Sequence, residues 1–180
     1  MKKVIIPRSF VNLSNNVPLI FLAGPIRGAP IWQDEAIGLL FSKTKEDLVV
    51  ASPRRGIRNG FSGYVVQGNG DGFPRQRAWE LHYLERAATG TERKGAIMFW
   101  LPGEKEHDCK KAYGAMTRIE LGQWMTRYRF ESPVRMCIGT DGKFSEIDTI
   151  RYDLDVNAPG LRVYDSLEET CSEALRIAGL

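Results

Sequence analysis

The sequence predicts an α/β domain in which a parallel β-sheet is covered by helices on both faces. Three observations lead to this fold class. The chain has 180 residues, a length that fits one domain. Short apolar runs ended by turn residues alternate with stretches of helical periodicity, as a parallel sheet with crossover helices requires. The strongest apolar run, 95–101, is continuous, as expected of a strand buried on both faces.

The first half of the chain supplies two strands and two helices. Residues 18–23 and 47–51 are short apolar runs, each ended by a turn that contains proline, and both are predicted as strands. Residues 31–42 have apolar positions at helical spacing. Residues 56–74 contain six glycines and are expected to form a long irregular segment that serves as a lid. Residues 75–88 follow as the second helix.

The second half continues the alternation. After the strand at 95–101, residues 114–129 are predicted as a helix, residues 134–139 as a strand, and residues 161–164 as a last strand. A helix at 166–178 opens with serine followed three residues later by glutamate, which is the capping-box pattern. The sequence therefore predicts about five strands, sandwiched by helices.

Composition and charge exclude several classes of protein. Hydrophobic residues make up 43% and charged residues 26%, unlike a disordered, collagen-like or coiled-coil chain. The net charge of +3 is lower than nucleic-acid-binding domains usually carry, so we expect a local anionic ligand and no nucleic acid polymer. No apolar run reaches the ~18 residues of a transmembrane helix. Pro7 and Arg8 interrupt the apolar start, so we expect a cytoplasmic protein with no membrane partner.

The histidines and cysteines form no metal-binding pattern. His82 and His107 have no cysteine or carboxylate partner at ligand spacing. The cysteines at 109, 137 and 171 match neither a zinc site nor a disulfide framework. The dinucleotide fingerprint and the P-loop are also absent. We expect no metal and no cofactor.

Ligands of parallel sheets bind at the carboxyl ends of the strands, so the loops at 24–30, 52–56, 102–117 and 139–146 are the candidate site. Gly24 and Pro25 open the first of them, and such a turn lets a ligand approach the backbone, although it is also an ordinary strand-to-helix turn. Arg54 and Arg55 form either a phosphate clamp or a solvated pair.

Two glutamates on predicted helices are the candidate reactive groups. Glu120 has apolar neighbours at helical spacing, where a carboxylate is costly unless it is paired or functional. The alternative is a partly exposed side chain paired with Arg118 or Arg127. Trp79 and Glu80 lie on the helix before the central strand, and the alternative there is a core tryptophan beside a surface glutamate.

Four motifs in this order resemble the nucleoside 2-deoxyribosyltransferase family. They are Phe21-Leu22-Ala23-Gly24-Pro25, Trp79-Glu80, Met98-Phe99-Trp100-Leu101-Pro102 and Ile119-Glu120-Leu121-Gly122. The resemblance covers about residues 18–140 and implies a flavodoxin-like, Rossmann-like sheet. It also implies cleavage of the N-glycosidic bond of 2-deoxynucleosides, with the sugar passed to a free nucleobase.

The resemblance assigns Glu120 as the nucleophile that forms a glycosyl ester. The family often has an aspartate as proton donor to the departing base, and Glu80 takes its place here. Trp32 and Trp79 are candidates for stacking on the base. The family forms homo-oligomers in which a neighbouring subunit completes each site, and the segment 141–148 is expected to play that part.

A second resemblance lies in Ile26-Arg27-Gly28, which is similar to the phosphate loop of 2-deoxynucleoside 5-monophosphate N-hydrolases. Those enzymes use the same glutamate but pass the sugar to water. Arg27 and Thr117 would bind the 5-phosphate, with Arg118, Arg54 and Arg55 as further candidates. A third reading is a non-catalytic nucleotide-binding sensor in which Glu120 is structural.

Overall fold

The structure is a computed structural model that describes residues 1–54, 66–67, 73–131 and 133–180, with the side chains of 66, 67, 73 and 74 left out. Its strands are β1 (Lys2–Ile5), β2 (Leu19–Ala23), β3 (Leu48–Ala51), β4 (Val66–Gln67), β5 (Gly95–Leu101), β6 (Met136–Thr140) and β7 (Val163–Tyr164). Its helices are α1 (Trp32–Lys43), α2 (Phe73–Ala88), α3 (Ala115–Phe130), α4 (Ile147–Asn157) and α5 (Leu167–Ala178).

The described strands form one parallel sheet in the order β4-β1-β3-β2-β5-β6-β7. The five predicted strands are β2, β3, β5, β6 and β7, and their prediction is confirmed. Numbered among themselves they have the spatial order 2-1-3-4-5, which is the flavodoxin order. The direction of winding reverses between β2 and β5, so a ligand site is expected beyond their carboxyl ends.

Alternating side chains of the central strands build a core on each face of the sheet. In β2, Leu19, Phe21 and Ala23 pack on one face with residues of α2, α3 and α4. Ile20 and Leu22 pack on the other face with residues of α1 and α5. Every residue of β2, β5 and β6 is buried, which explains why apolar runs, and not alternating patterns, identify these strands.

Three elements were not predicted. β1 has two lysines and only two buried residues, Val4 and Ile5, so it lacks the apolar run that identifies the central strands. β4 is two residues long and lies within the glycine-rich segment, most of which falls outside the described residues. In α4 only Ile147 and Leu154 are buried, so its periodicity is weak.

The helix boundaries follow local signals. Ser166 caps α5, and its hydroxyl oxygen accepts a hydrogen bond from the Glu169 amide at 3.2 Å, as the capping-box pattern predicts. α3 begins after Gly114, whose φ of 64° is the left-handed conformation that glycine adopts most readily. Among the described helices, none has the length and apolar character needed to cross a membrane.

Candidate functional site

A cavity of about 680 Å³ lies beyond the carboxyl ends of β2 and β5, at the point where the winding reverses. Its walls are the end of β2 with the loop 24–28, the first turns of α2 and α3, and the loop 104–113. The volume is within the range of about 300–1,000 Å³ that is usual for small-molecule sites. The fold therefore places this cavity where a parallel sheet of this order binds ligands.

The loop after β2 is held against the sheet at Gly24 and Pro25, which both line the cavity. A Cβ on Gly24 would lie 2.3 Å from the carbonyl oxygen of Trp100 and 2.7 Å from the ring of Trp32. The indole N–H of Trp32 donates to the carbonyl oxygen of Pro25 at 2.9 Å, and the Gln33 amide donates to the same oxygen at 3.3 Å. The backbone at this wall is therefore fixed by α1 from behind.

The loop after β5 is tied to the loop after β2. The amides of Lys105 and Glu106 both donate to the carbonyl oxygen of Gly28, at 2.7 and 3.0 Å. At its base, the amide of Gly103 donates to the carboxylate of Asp141, at 2.9 and 3.0 Å to the two oxygens. The phenol of Tyr113 donates to the carbonyl oxygen of Pro102 at 2.8 Å. Burial, reinforced by nearby carboxylates, raises the pKa of that phenol, so it stays a donor.

Glu120 and Glu80 meet in the cavity through a shared arginine. Glu120 is in the second turn of α3, and Glu80 is on α2. The Nη1 atom of Arg77 forms an ion pair with Oε1 of Glu120 and lies 3.0 Å from Oε2 of Glu80. Only 12% of the Glu120 side chain and 17% of the Glu80 side chain are exposed. Two carboxylates and one guanidinium thus form a shielded cluster at the junction of the two helices.

Burial raises the pKa of Glu120 above the ordinary value of a glutamate. The hydrogen bond and the charge of Arg77 oppose this rise, while the charge of Glu80 adds to it. Glu120 therefore has a carboxyl group that is less acidic than usual and whose ionisation depends on its two neighbours. Such perturbed groups concentrate at functional sites, although structural ion pairs also produce them.

Glu80 accepts hydrogen bonds on both of its oxygens. The Gln76 amide donates to Oε1 at 3.1 Å, and Arg77 donates to Oε2. Both partners are N–H donors, and this pattern suits the carboxylate form. For Glu80 to act as the predicted proton donor, it first has to take up a proton from solvent or from the incoming ligand.

Four of the predicted binding residues line the cavity, namely Gly24, Pro25, Arg27 and Thr117. Arg27 is exposed, and Thr117 is buried in the first turn of α3. The helix has a partial positive charge at this end, where the first backbone N–H groups have no partner within the helix.

Both tryptophans predicted to stack on a base belong to the core instead. Trp79 is fully buried, with its ring centroid 5.8 Å from that of Phe21, and its indole N–H donates to the Ser9 carbonyl oxygen at 2.8 Å. Trp32 is 2% exposed and packs on the opposite face of the sheet. Neither lines the cavity, so the stacking prediction is wrong for both. Burial of these large apolar rings in the core is more favourable than their partial exposure at the edge of the cavity.

The predicted phosphate clamp is not at the cavity either. Arg54 is paired with Asp34, with 3.3 Å between Nη1 and Oδ1, and does not line the cavity. Arg55 lies outside the described residues. Arg118 donates to the Ser145 carbonyl oxygen at 2.9 Å, and its guanidinium lies 4.4 Å from the centre of the Phe144 ring. Arg54 and Arg118 are each held by other partners. The prediction failed because local sequence does not show which charged side chains meet in the fold.

The alternative partners proposed for Glu120 are also occupied elsewhere. Arg127 pairs with Glu85 and with Glu131, at 2.6 and 2.7 Å. The true partner, Arg77, was not predicted, although its position three residues before Glu80 on one helix is a recognisable ion-pair spacing. The loop after β5 was predicted as part of the site through the range 102–117, but its charged lining residues were not singled out; they are Glu104, Glu106, His107, Asp108 and Lys111.

The segment 141–148, predicted to reach a neighbouring subunit, contributes to the core of its own chain. Phe144 and Ile147 are buried among residues of α3 and α4. Asp141 is held by the Gly103 amide, and most of the other side chains of the segment are exposed. Its contribution to a second subunit stays a prediction. Within the described residues, no group of three or more His, Cys, Asp or Glu side chains is arranged to hold a metal ion.

No protein-family model matches this chain, and no curated protein matches its sequence. Its function is therefore inferred from the geometry and chemistry of the cavity.

Proposed function

We propose that this protein cleaves the N-glycosidic bond of 2′-deoxynucleosides and transfers the deoxyribose to a second nucleobase. The observation that carries the proposal is the environment of the Glu120 carboxylate. Its carboxylate is shielded on a rigid helix at a nucleoside-sized cavity, and only one of its oxygens is engaged. Three of the four motifs that resemble the deoxyribosyltransferases contribute residues to the same cavity, among them Gly24, Glu80 and Glu120, which supports the same chemistry.

The second oxygen of Glu120 is the reacting atom in this proposal. Oε1 accepts from Arg77, and Oε2 makes no hydrogen bond with any described residue. Oε2 attacks C1′ of the sugar, a C1′–O bond forms, and the C1′–N bond breaks. The bonding electron pair leaves with the base, which takes the proton of the Glu80 carboxyl. A nitrogen of the second base then attacks C1′, the C1′–O bond breaks with its electron pair returning to the Glu120 carboxylate, and the proton of that nitrogen returns to Glu80.

The charge of the cluster suits this reaction. As Glu80 gives its proton to the departing base, its carboxylate becomes a second negative charge that faces the single positive charge of Arg77. The remaining negative charge stabilises an oxocarbenium-like transition state, in which positive charge develops at C1′. Because water is largely excluded here, the interaction is stronger than it is in bulk solvent. Glu80 donates the proton to the departing base. Because both of its hydrogen-bond partners are N–H donors, it first takes up that proton from solvent or from the ligand.

A second candidate is hydrolysis of 2′-deoxynucleoside 5′-monophosphates. Arg27, Thr117 and the positive end of α3 line the cavity and suit a phosphate. Against this, three further acidic residues line the cavity, Glu104, Glu106 and Asp108, and they outnumber the one further lysine there, Lys111. They repel an anionic ligand, so an uncharged nucleoside is the better substrate.

The test is to incubate the protein with each of the four 2′-deoxynucleosides, alone and with a second nucleobase, and to separate the products by chromatography. Transfer produces a new nucleoside, whereas hydrolysis produces only free sugar and free base. If no base is released from nucleosides or from their monophosphates, the proposal is refuted and the non-catalytic sensor is favoured.

Mass spectrometry of protein quenched during turnover locates the nucleophile. We expect a deoxyribosyl adduct on the peptide that contains Glu120. An adduct on the peptide that contains Glu80 would contradict the assignment of roles within the cluster.

A further inference from the structure

We propose that Arg77 is the positioning residue of the nucleophile: its guanidinium holds Oε1 of Glu120 and leaves Oε2 free to attack C1′. This inference rests on the proposed function and names a residue that the sequence motifs do not include. Arg77 lies one helical turn before Glu80 on α2 and 43 positions before Glu120 in the chain.

The geometry gives Arg77 a role that no other described residue fills. A single atom, Nη1, contacts Glu120 and Glu80, so the two carboxylates are fixed relative to each other. Gln76 holds the other oxygen of Glu80 at 3.1 Å, which keeps that carboxylate from rotating towards Glu120. Glu120 has no other hydrogen-bond partner among the described residues. Without Arg77, nothing in that part of the chain selects which oxygen faces the sugar.

Arg77 itself is held in place by its helix. Only 22% of its side chain is exposed, and α2 is anchored to the sheet by Trp79 and Tyr83, both fully buried. A side chain on an anchored helix keeps a narrower set of positions than one on a loop. The guanidinium also presents several N–H groups in one plane, which lets it serve two carboxylates at once.

Electrostatics supports the same role. Glu120 faces Arg77 and Glu80 from α2, and the other charged groups of the cavity are Arg27, Glu104, Glu106, Asp108 and Lys111, with His107 beside them. Burial raises the pKa of Glu120, and Arg77 is the cation that opposes this rise. A protonated carboxyl is a poor nucleophile, so Arg77 extends the pH range in which Glu120 is reactive.

The cluster also stays paired through the reaction. When Oε2 forms the ester with C1′, Glu120 loses its negative charge. Arg77 and Glu80 then remain as one cation and one anion in contact. Because no uncompensated charge is created at this point, Arg77 does not have to move between the two half-reactions.

The test compares Arg77→Gln, which removes the charge but keeps an N–H donor, with the matched control Arg127→Gln. Arg127 also joins α2 to α3, through Glu85, but it does not line the cavity. The titration of Glu120 is followed by ¹³C NMR with carboxyl-labelled glutamate, and its signal is assigned by its loss in Glu120→Gln. We expect the midpoint of Glu120 to rise by about one to three pH units in Arg77→Gln and to stay unchanged in Arg127→Gln.

Kinetics provides the second readout. The acidic limb of kcat/KM should move to higher pH in Arg77→Gln by the same amount as the NMR midpoint. Arg77→Lys keeps the charge but not the planar geometry, so its midpoint should stay near that of the wild type while kcat falls about tenfold or more. This lysine variant decides the question if the glutamine variant does not fold, because full kcat in Arg77→Lys would overturn a positioning role.

The two proposals fail in different ways. Base release by the wild-type protein, together with an unchanged Glu120 midpoint in folded Arg77→Gln, would refute the role of Arg77 alone. No base release by the wild-type protein would refute the proposed function. Arg77 would then not be the positioning residue of a nucleophile, whatever the titration shows.

Discussion

The guanidinium of Arg77 on α2 forms an ion pair with the carboxylate of Glu120 on α3, so the two helices that line the cavity are joined at their reactive ends. A second ion pair, between Arg127 and Glu85, joins the same helices farther along. The first pair is shielded and the second is more exposed, so the first has the larger influence on the ionisation of its carboxylate.

Replacement of Glu120 by glutamine should lower turnover by several powers of ten while the fold survives, because the amide keeps the size of the side chain but is not a nucleophile. The measurement is base release under single-turnover conditions, with circular dichroism to check the fold. Glu131→Gln, on an exposed residue just after α3, is the matched control and should retain wild-type turnover. Near-normal turnover in Glu120→Gln would exclude Glu120 as the nucleophile.

The pH profile of the wild-type protein should have an acidic limb above the ordinary glutamate value of about 4.3. Since burial raises the pKa of Glu120, protonation begins at higher pH than in a free glutamate, and kcat/KM falls as the pH decreases through that midpoint.

In Glu80→Gln the acidic limb should move to lower pH, because the charge of Glu80 contributes to the rise in the pKa of Glu120. The measurement is kcat/KM across the pH range at constant ionic strength. A limb that moves to higher pH in this variant would contradict the electrostatic coupling of the two glutamates.

Substitution of Gly24 by alanine should destabilise the protein by about 2–5 kcal/mol. The φ of 153° and the close approach of the Trp100 carbonyl oxygen leave no space for a Cβ. Gly122→Ala is the control, since a Cβ there meets no atom within 4 Å, and in the middle of α3 it should stabilise by about 0.5–1 kcal/mol. Urea unfolding measures both, and equal stability of the two variants would contradict the packing at Gly24.

Trp79→Phe should lower stability by about 1–3 kcal/mol and leave KM for the nucleoside unchanged. The phenyl ring cannot donate to the Ser9 carbonyl oxygen, and it fills less of the space beside Phe21. Thermal unfolding and steady-state kinetics on the same sample measure the two effects. A large rise in KM without loss of stability would instead indicate that the ring contacts substrate.

Uncharged 2′-deoxynucleosides should be used in preference to their 5′-monophosphates, with kcat/KM at least about tenfold higher. A phosphate has a charge of about −1.5 to −2 at neutral pH and meets the carboxylates of Glu104, Glu106 and Asp108. Competition between the two substrates in one reaction measures the ratio. A preference for the monophosphate that Arg27→Ala abolishes would favour the hydrolase.

The sequence predicted those features that depend on residues close together in the chain. The apolar runs of β2, β5 and β6 identify buried strands, because every residue of each is buried. The Ser166 cap of α5 is a contact between residues three positions apart. The placement of Glu120 at the cavity follows from a helix that begins after a central strand, and a parallel sheet brings such helix starts to one edge.

Only the tertiary structure decided which side chains meet. Glu120 pairs with Arg77, 43 residues away, and not with Arg118 or Arg127 on its own helix. Trp79 lies on the buried face of α2 against Phe21, and Trp32 lies on the opposite face of the sheet, although both were candidates for stacking on the base. The physical reason is that periodicity determines the face of a helix on which a residue lies. The side chain that a residue contacts depends on how separate elements pack, and side chains distant in sequence compete for each contact.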